Sequence, residues 1–523
     1  MNKGGDANKL DPSYNTLYAL VILNNNGKFK VAADHDLQYE SVDDVEGTMA
    51  TESFTGKTFS AFQKLKANGG VKSFYGDDTK GILMMNAPLY KTAATSSTAP
   101  SDLATLAVVT NKVKNTETAA QNEPGAEVFV ERAVAKVTMA PYTSGQLTGE
   151  EYKPAANKVE VSLVAWGLDY TNNISYYMHN AKPSAAGATD WAGYNKNGDD
   201  ATTTNYRFAG TTRVKDGYGY RAYWGEDPNY AATPKTGSAD LWGSVSNYIG
   251  KEKNFTHETD ITKLSDKTGE NYPQYCMENT FNVQNMNEDQ TTRAIVKVKL
   301  TPNTKDGDGT FYIVNNDKSK FFNTAGIESL VEQHIKACNT VTTEALTSGD
   351  PAVSAIELEP VAVGSPDLKV KSFTVTYGTT TATTTAVVKN YDATTPNVVK
   401  EVNDALKQVT KYDKGFAYYP IRIKHFGSSK ALTAGGYEYG LVTWDATKHT
   451  QTDRYDKNNE DKFLGRYGVL RNNWYDLGIN SISGVGSPVV PKAPDTPDDE
   501  LESFISVRIN VLSWAKRVQR EDL

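Results

Sequence analysis

The sequence predicts a mainly β protein made of two β-sandwiches, with a few short helices. Its 30 Tyr, 40 Gly and 20 Pro are residue types that favour strands and tight turns. Apolar residues recur at the two-residue period of a strand in many short segments, of which 159–168 and 293–300 are the clearest. The 523 residues also exceed one typical domain, so we expect more than one hydrophobic core.

Charge and hydropathy argue against two classes of partner. The formal net charge is -8 and the pI is about 5.5, which disfavours nucleic acid or an anionic membrane surface as the main ligand. No apolar run approaches the roughly 18 to 20 residues that span a bilayer. We therefore expect no nucleic acid partner and no membrane span in the mature chain.

A first sandwich domain is predicted at residues 1–140. It opens with an almost continuously apolar run, LYALVIL, which a turn of three Asn and one Gly ends. The helix predicted next is stopped by Gly69. The predicted elements, in order, are a strand at 17–23, a helix at 60–68, and strands at 81–86 and 129–137.

A second sandwich domain with long loops is predicted at residues 141–483. The stretch 184–254 is rich in Gly, Asn, Asp and Tyr and has little periodicity, so we expect surface loops there. The run TTTATTT is interpreted as the tip of a hairpin. The remaining predicted elements are helices at 327–337 and 399–409, paired strands at 418–426 and 437–444, and a closing strand at 467–479.

The C-terminal end is the most informative part of the chain. A Pro- and acid-rich tether at 484–502 precedes a segment at 503–523 that contains a strand without a partner next to it in sequence. Such a strand can complete the sheet of another subunit through its unpaired backbone groups. The side chains predicted to insert into that sheet are Phe504, Ile505, Val507, Ile509, Val511, Leu512 and Trp514.

The tether leaves two destinations open for this strand. Extended, it spans at most about 60 Å, enough to reach a neighbouring subunit or to fold back. Proline and repelling carboxylates extend such a linker, which favours the neighbour. The alternative is a strand that pairs within its own chain, as in a monomeric surface module that binds glycans or proteins.

Signatures of catalysis are absent from the sequence. There is no phosphate-binding loop, dinucleotide fingerprint, nucleophile elbow or zinc-protease motif. The acidic turns at 306–309 and 453–461 do not match the full calcium-loop spacing. We expect a non-enzymatic chain without cofactor or metal, and a hydrolase built from dispersed Asp and Glu is the rival. Five aromatic residues that could stack on a sugar are better explained by packing: Trp191, Tyr218, Tyr220, Tyr223 and Trp224.

The two cysteines, Cys276 and Cys338, are not accompanied by residues at zinc-ligand spacing. A disulfide between them is allowed but not required. Two buried free thiols are the alternative.

Four segments of the chain form a recognisable set: VERAVAKV at 130–137, RAIVKVKLTP at 293–302, VLRNNWY at 469–475 and ISVRINVLSW at 505–514. Together they resemble the fimbrillin family of Bacteroidales, nearest to the shaft subunits of the short, minor fimbriae of Porphyromonas type. The resemblance implies two transthyretin-like β-sandwich domains. It also implies export across the outer membrane as a lipoprotein precursor, and removal of the first strand by an arginine-specific protease. The early position of LYALVIL fits a trimmed form.

The resemblance further implies a structural role in a fimbrium at the cell surface. The subunits would form a homopolymer by donor-strand exchange, with accessory anchor and tip subunits, and would support adhesion, biofilm formation and virulence. The loops at 184–254 would meet receptors on hosts or other bacteria. The emptied groove that accepts the donor strand is expected beside Leu17, Ala19, Val21, Leu23, Val130, Val134 and Val137.

Overall fold

A computed structural model gives the structure of the chain. The described residues are 16–33, 36–42, 49–75, 81–93, 100–110, 112–114, 116–122, 125–142, 144–181, 196–197, 200–204, 209–225, 227–228, 255–256, 261–280, 288–337, 352–379, 382–389, 398–423, 428–433, 436–440, 468–493 and 505–513. Strands far exceed helices among them, which confirms the prediction of a mainly β protein.

The N-terminal region consists of small sheets around an aromatic core. Its helices are α1 Phe59–Gln63 and α2 Glu117–Asn122. Its strands are β1 Tyr18–Ala19, β2 Ile22–Leu23, β3 Phe29–Val31, β4 Leu37–Val42, β5 Met49–Ser53, β6 Lys66–Asn68, β7 Met84–Asn86, β8 Leu89–Tyr90, β9 Ala107–Val108, β10 Val130–Arg132 and β11 Val134–Met139. The ring of Tyr177, from later in the chain, packs edge-on against Phe29 and Phe74.

The middle of the chain contains two long strands and several short ones. These strands are β12 Gly145–Gln146, β13 Val159–Asp169, β14 Thr171–Asn172, β15 Ile174–Tyr176, β16 Lys196–Asn197, β17 Asp200–Thr204, β18 Ala209–Arg213, β19 Tyr220–Ala222, β20 Phe255–Thr256, β21 Gln274–Met277 and β22 Arg293–Pro302. The predicted strands at 159–168 and 293–300 correspond to β13 and β22, which pair antiparallel along their whole length.

The C-terminal part adds the remaining strands and two longer helices. The helices are α3 Thr324–Ala337 and α4 Val398–Leu406. The strands are β23 Phe311–Val314, β24 Ala352–Pro360, β25 Asp367–Thr379, β26 Ala382–Lys389, β27 Val409–Tyr412, β28 Phe416–Arg422, β29 Ser428–Thr433, β30 Gly436–Gly440, β31 Asn473–Ile482 and β32 Ile505–Ser513. Strands β25 and β26 form the predicted hairpin around the threonine run.

Two four-stranded sheets pack face to face as a β-sandwich. Their strand orders are β21-β11-β31-β32 and β12-β13-β22-β28. The inward positions are apolar, and Trp166, Val296 and Tyr475 are all 0% exposed in the shared core. This sandwich positions the C-terminal strand.

Strand β11 belongs to this sandwich although it follows directly on the N-terminal sheets. The predicted single strand at 129–137 breaks at Ala133, and β10 pairs with β7 whereas β11 pairs in parallel with β31. Val134 packs in the N-terminal core, and Val137 packs in the sandwich core. The N-terminal region and the sandwich are therefore joined through β11. A division of the chain at residue 140 stays a prediction.

A further sheet, β23-β27-β25-β24 with β26 on β25, is covered by α3 and α4. The helical spacing of Leu330, Val331 and Ile335 predicts α3, and its buried face consists of Ile327, Val331 and Ile335, with Leu330 partly buried beside them. The second predicted helix ends earlier than expected. Lys407 adopts a left-handed φ of 58°, so Val409 lies in β27 rather than in α4.

The prediction that the strands at 418–426 and 437–444 pair with each other was wrong. β28 pairs with β22, and β30 pairs with β29. The local sequence patterns identify both segments as strands but do not identify their partners. β28 pairs with β22 because both strands contribute residues to the same hydrophobic core.

Candidate functional site: the C-terminal strand and its slot

The C-terminal strand β32 forms an antiparallel ladder with β31 of the same chain. The register places Val511 opposite Tyr475, Ile509 opposite Leu477 and Val507 opposite Ile479. The ladder has a bulge between Ile479 and Ser481 of β31. From the sequence we expect this strand to have no neighbouring partner. In the structure it pairs with β31, the strand that precedes it in the chain.

The face of β31 that this ladder extends is the core face. Tyr475, Leu477 and Ile482 are each 0% exposed and belong to the sandwich core. Directly opposite positions of an antiparallel ladder lie on the same side of a sheet. The positions of Val511, Ile509 and Ile505 therefore line up with buried apolar residues, as the two-residue period of the strand predicts. Phe504 and Trp514 lie outside the described residues.

The outer face of the same sheet is polar. Trp474 Nε1 donates to Thr138 Oγ1 at 2.8 Å, and Thr138 Oγ1 donates to Asp476 Oδ1 at 2.7 Å. The Lys136 ammonium lies 3.7 Å from the centroid of the Trp474 ring. Burial lowers the pKa of Lys136. Because the two faces differ so strongly, slipping β32 by one residue would place its apolar positions on the polar side.

The first part of the predicted tether is bound to the body and is not a free linker. Tyr419 Oη donates to the Gly484 carbonyl at 2.7 Å, and Tyr412 Oη donates to the Gly486 carbonyl at 2.8 Å. Ser487 exchanges two backbone hydrogen bonds with Tyr418, at 2.7 and 3.0 Å. We call residues 484–493 the strap. The expected reach of about 60 Å is therefore too long.

The predicted groove residues do not lie along one continuous groove. β1 pairs with β9, while β2 and β10 pair with opposite sides of β7. Leu23 and Val130 thus lie on the two edges of one small sheet, β10-β7-β2. Val134 and Val137 lie on β11, in two different cores. The edge at β1 and β2 is the more open part, with Tyr18 57% and Leu23 43% exposed.

Asn86 holds this N-terminal edge together, although no sequence pattern pointed to it. Its side chain is 1% exposed. Oδ1 accepts from the backbone N–H of Val21 at 2.7 Å, and Nδ2 donates to the carbonyls of Ala19 at 3.0 Å and Thr105 at 3.1 Å. One side chain therefore satisfies three backbone groups of short strands that have few partners of their own.

A chain of buried charges connects the N-terminal sheets to β31. His179 Nδ1 lies 2.7 Å from Glu131 Oε1, and His179 Nε2 lies 3.8 Å from Glu278 Oε1. Glu278 Oε2 accepts from Arg471 Nε at 2.9 Å. Arg221 Nη2 lies 3.9 Å from Glu131 Oε2. None of these five side chains is more than 12% exposed.

Arg471 also bonds to the backbone of the segment that carries Tyr177. Its Nη1 donates to the Tyr177 carbonyl at 3.0 Å, and its Nη2 donates to the Tyr176 carbonyl at 2.8 Å. Glu131 and Arg471 come from the segments VERAVAKV and VLRNNWY, and the sequence assigned neither a role. The signal that could have identified them is a charged residue within an otherwise apolar segment. Because a charged side chain is rarely buried without a partner, such a residue indicates a buried ion pair.

The alternative sites read from the sequence have structural roles where they are described. Tyr223 and Trp224 are buried, and the Tyr218 ring packs on Phe129. Asp306 accepts from the backbone N–H and the hydroxyl of Thr324 at the start of α3. Among the described residues, no three His, Cys, Asp or Glu are grouped to hold a metal ion. Trp191 and the acidic run at 453–461 lie outside them.

Within the described residues, no helix is long and apolar enough to cross a membrane. Cys276 is buried, and burial raises the pKa of its thiol to about 12. Cys338 lies outside the described residues, so a disulfide between the two stays a prediction.

One family matches part of the chain. Residues 448–520 match the family described as "Major fimbrial subunit protein type IV, Fimbrillin, C-terminal". The matched segment contains β31, the strap and β32. No curated protein matches the chain.

Two crystal structures from Parabacteroides distasonis ATCC 8503, both provisionally described as cell adhesion proteins, align with most of the chain. The first is 12% identical, with a TM-score of 0.26, and the alignment covers 95% of this chain and 93% of the other. The second is 12% identical, with a TM-score of 0.25, and covers 99% and 95%. Scores this low do not establish a shared fold. The chain is thus similar to fimbrillins over its C-terminal part, and that match supports a fimbrial or adhesion subunit at the cell surface.

Proposed function

We propose that the chain is a structural subunit of a cell-surface fimbria, and that its C-terminal strand pairs with the next copy. One observation supports this most directly. The apolar period of β32 is in register with the buried face of β31, so this strand is built to complete a sheet. The fimbrillin match over 448–520 supports the same role. More specifically, we propose that it is the shaft subunit of a minor fimbria of the Porphyromonas type.

The acceptor we propose is the N-terminal edge at Tyr18–Ala19 and Ile22–Leu23. Within one chain, β32 already occupies the edge of β31. A neighbour's β32 at that edge would make the same contacts as the strand it displaces, so no contact would be gained. Association costs about 4 to 15 kcal/mol, which equal contacts do not offset. At the N-terminal edge, Tyr18 and Leu23 are exposed, so an added strand buries new apolar surface.

Under this proposal the same strand has two states. In a single subunit it covers the edge of β31, which prevents that edge from pairing with other chains. In the polymer it joins the next subunit. Because leaving β31 exposes the core beside Leu477, the contacts made in the neighbour must exceed those given up.

A monomeric adhesin module is the second candidate. The pairing of β32 with β31 of its own chain favours it, because a strand that stays there leaves no donor. In that case, the segment 184–254, which was predicted as surface loops but contains β16 to β19 in its described part, would carry the binding role. The proposal also includes adhesion through this segment to hosts or other bacteria, export as a lipoprotein precursor, and accessory anchor and tip subunits.

The experiment compares three chains by size-exclusion chromatography and negative-stain electron microscopy: the full chain, Ile509→Asp and Ser506→Asp. Ile509 lies opposite buried Leu477, whereas Ser506 lies opposite Ser481. Ser506→Asp is therefore the control, because it adds the same charge at a polar position of the ladder. We expect filaments from the full chain and from Ser506→Asp, and none from Ile509→Asp. Equal filaments from Ile509→Asp would refute strand insertion, and a full chain that stays monomeric would favour the adhesin module.

A second measurement identifies the acceptor. A chain ending at Ala493 is mixed with a synthetic peptide of residues 503–514, and hydrogen exchange is followed along the chain. New protection at residues 17–23 supports the N-terminal edge. Protection confined to residues 473–482 would refute that edge and assign the exchange to β31.

A further inference from the structure

The strap ends at a pair of contacts that hold it more firmly than packing alone. Ala493 is 3% exposed, and its N–H donates to Tyr170 Oη at 3.1 Å. The Pro491 carbonyl accepts from Arg293 Nη2. Pro488 and Pro491 have no backbone N–H, so the strap has few donors near its end, and the Ala493 N–H is one of them.

Both contacting side chains are themselves fixed. Arg293 Nε donates to Asp169 Oδ2 at 2.9 Å, and both residues are buried. The Arg293 guanidinium lies 4.9 Å from the centroid of the Tyr170 ring. A planar cation stacked on a ring and bonded to a carboxylate has little freedom to turn.

The backbone of Tyr170 is strained. Its φ is 51°, in the left-handed region that bulky residues rarely adopt. The Tyr170 carbonyl accepts from Thr292 Oγ1 at 2.9 Å, and its N–H donates to Asp169 Oδ1 at 2.9 Å. Such a conformation persists only where its surroundings impose it, and it commonly marks a position where the direction of a side chain matters. Here the direction carries the hydroxyl to Ala493.

We propose that Tyr170 and Arg293 form a clamp that fixes the point from which the C-terminal strand leaves the body. The inference rests on the proposed function, in which that strand pairs with a second copy. With the strap clamped, only residues 494–504 lie between the body and β32. At about 3.3 to 3.6 Å per residue they span at most about 40 Å.

The consequence is a limit on how subunits can be arranged. The acceptor of the next copy must lie within about 40 Å of Ala493, whereas a tether released by the clamp but still held at Ser487 would span up to about 60 Å. The clamp residues are positioning residues: they set the spacing between subunits and contribute nothing to the apolar contacts of the inserted strand. A short linker that leaves the body at a fixed point keeps the distance between neighbouring subunits nearly constant along the fibre.

Trypsin provides a direct test on the full chain, because Lys492 is exposed while the next residue, Ala493, is buried. Cleavage between them requires the strap to detach. Tyr170→Phe removes the hydroxyl that accepts from Ala493, and we expect cleavage at this bond to rise about fivefold. Ala493→Leu acts from the strap side, since its larger side chain does not fit the buried position, and should raise cleavage further.

Tyr475→Phe is the matched control. The Tyr475 hydroxyl also accepts a backbone N–H, that of Leu470 at 2.8 Å, and Tyr475 is buried in the sandwich core rather than in the cluster of Tyr170 and Ala493. It should leave cleavage at Lys492 unchanged. Mass spectrometry identifies the fragment that begins at Ala493. If Tyr170→Phe and Ala493→Leu are cleaved at this bond no faster than the unsubstituted chain, the clamp is refuted.

The second readout is the distance between subunits in filaments, measured by electron microscopy. The unsubstituted chain should give one spacing, and Ala493→Leu should give a broader distribution that extends to longer values. Faster cleavage with an unchanged spacing would overturn the positioning role. If the unsubstituted chain forms no filaments, the proposed function fails, and the cleavage rates still decide whether the clamp exists.

Discussion

Arg471 Nε donates to Glu278 Oε2 at 2.9 Å, in a pair of which neither side chain is more than 2% exposed. Arg471 lies in the turn that leads into β31, and Glu278 follows β21. The pair thus connects the two strands that flank β11 in the sheet order. Removing one member of a buried pair leaves the other charge without compensation, which costs far more than the pair itself contributes.

The first prediction concerns this pair. Arg471→Met should lower the free energy of unfolding by about 3 to 5 kcal/mol, because Glu278 stays buried without its partner. The control is Lys400→Met, which breaks an exposed pair with Asp404 on α4 and should cost less than about 1 kcal/mol. Denaturant unfolding followed by tryptophan fluorescence measures both. Equal losses for the two variants would contradict a stabilising role of the buried pair.

The second prediction is a pH dependence. Burial by itself raises the pKa of Glu131, but the charge and hydrogen bond of His179, with the charges of Arg221 and Arg471, outweigh it and lower the pKa below its ordinary value. A carboxylate with a lowered pKa in the folded state stabilises the fold above its unfolded pKa. That stability is lost as the pH falls through the folded pKa.

Glu131→Gln should therefore be less stable than the unsubstituted chain at pH 7, and the difference should shrink below about pH 4.5. Unfolding in denaturant at pH 7, 5, 4 and 3 gives the comparison. Both chains lose stability from other carboxylates as the pH falls, so only the difference between them is informative. A difference that stays constant over this range would show that ionised Glu131 does not stabilise the fold.

The third prediction concerns the N-terminal edge. Asn86→Ala removes the partner of three backbone groups, each worth about 1 to 3 kcal/mol when left buried and unpaired. Hydrogen exchange at residues 17–23 should become at least about tenfold faster. Asn303→Ala is the control, since Asn303 also donates to two carbonyls but at an exposed site. Unchanged exchange at 17–23 would mean that Asn86 does not hold this edge.

The fourth prediction concerns Cys276. With its pKa raised to about 12 and its side chain buried, it should not react with iodoacetamide at pH 8 while the protein is folded. Unfolding without reductant then separates the two cysteine hypotheses: both thiols react if they are free, and neither reacts if Cys276 and Cys338 are bridged. Rapid labelling of Cys276 in the folded chain would contradict its burial.

Local patterns were sufficient where one element decides its own structure. The spacing of Leu330, Val331 and Ile335 predicted helix α3, and the threonine run predicted the tip of the β25–β26 hairpin. The alternation of Ile505, Val507, Ile509 and Val511 predicted a strand, which β32 confirms. In each case the period of apolar residues along the chain is itself the signal.

Partners were harder to predict than elements. The pattern at 418–426 suits a strand, but it does not say that β22 rather than β30 is its neighbour. The segment 484–502 is predicted to be a linker because Pro and acidic residues favour extended, solvated chains, but its first part, the strap, is bound to the body. Its contacts come from Tyr170, Arg293, Tyr412 and Tyr419, all distant in sequence.

By itself the sequence determined that the chain is mainly β, where its strongest strands and helices lie, and that its last strand has an apolar face suited to completing a sheet. Those properties are local, because they depend on residues two to four positions apart. The tertiary structure decided that β32 lies beside β31, that the strap is hydrogen-bonded to Tyr170 and Arg293, and that Glu131 and Arg471 belong to one buried group of charges linked through His179 and Glu278. These relationships depend on which strand edges and buried charges folding brings together across hundreds of residues, and no local pattern encodes that choice.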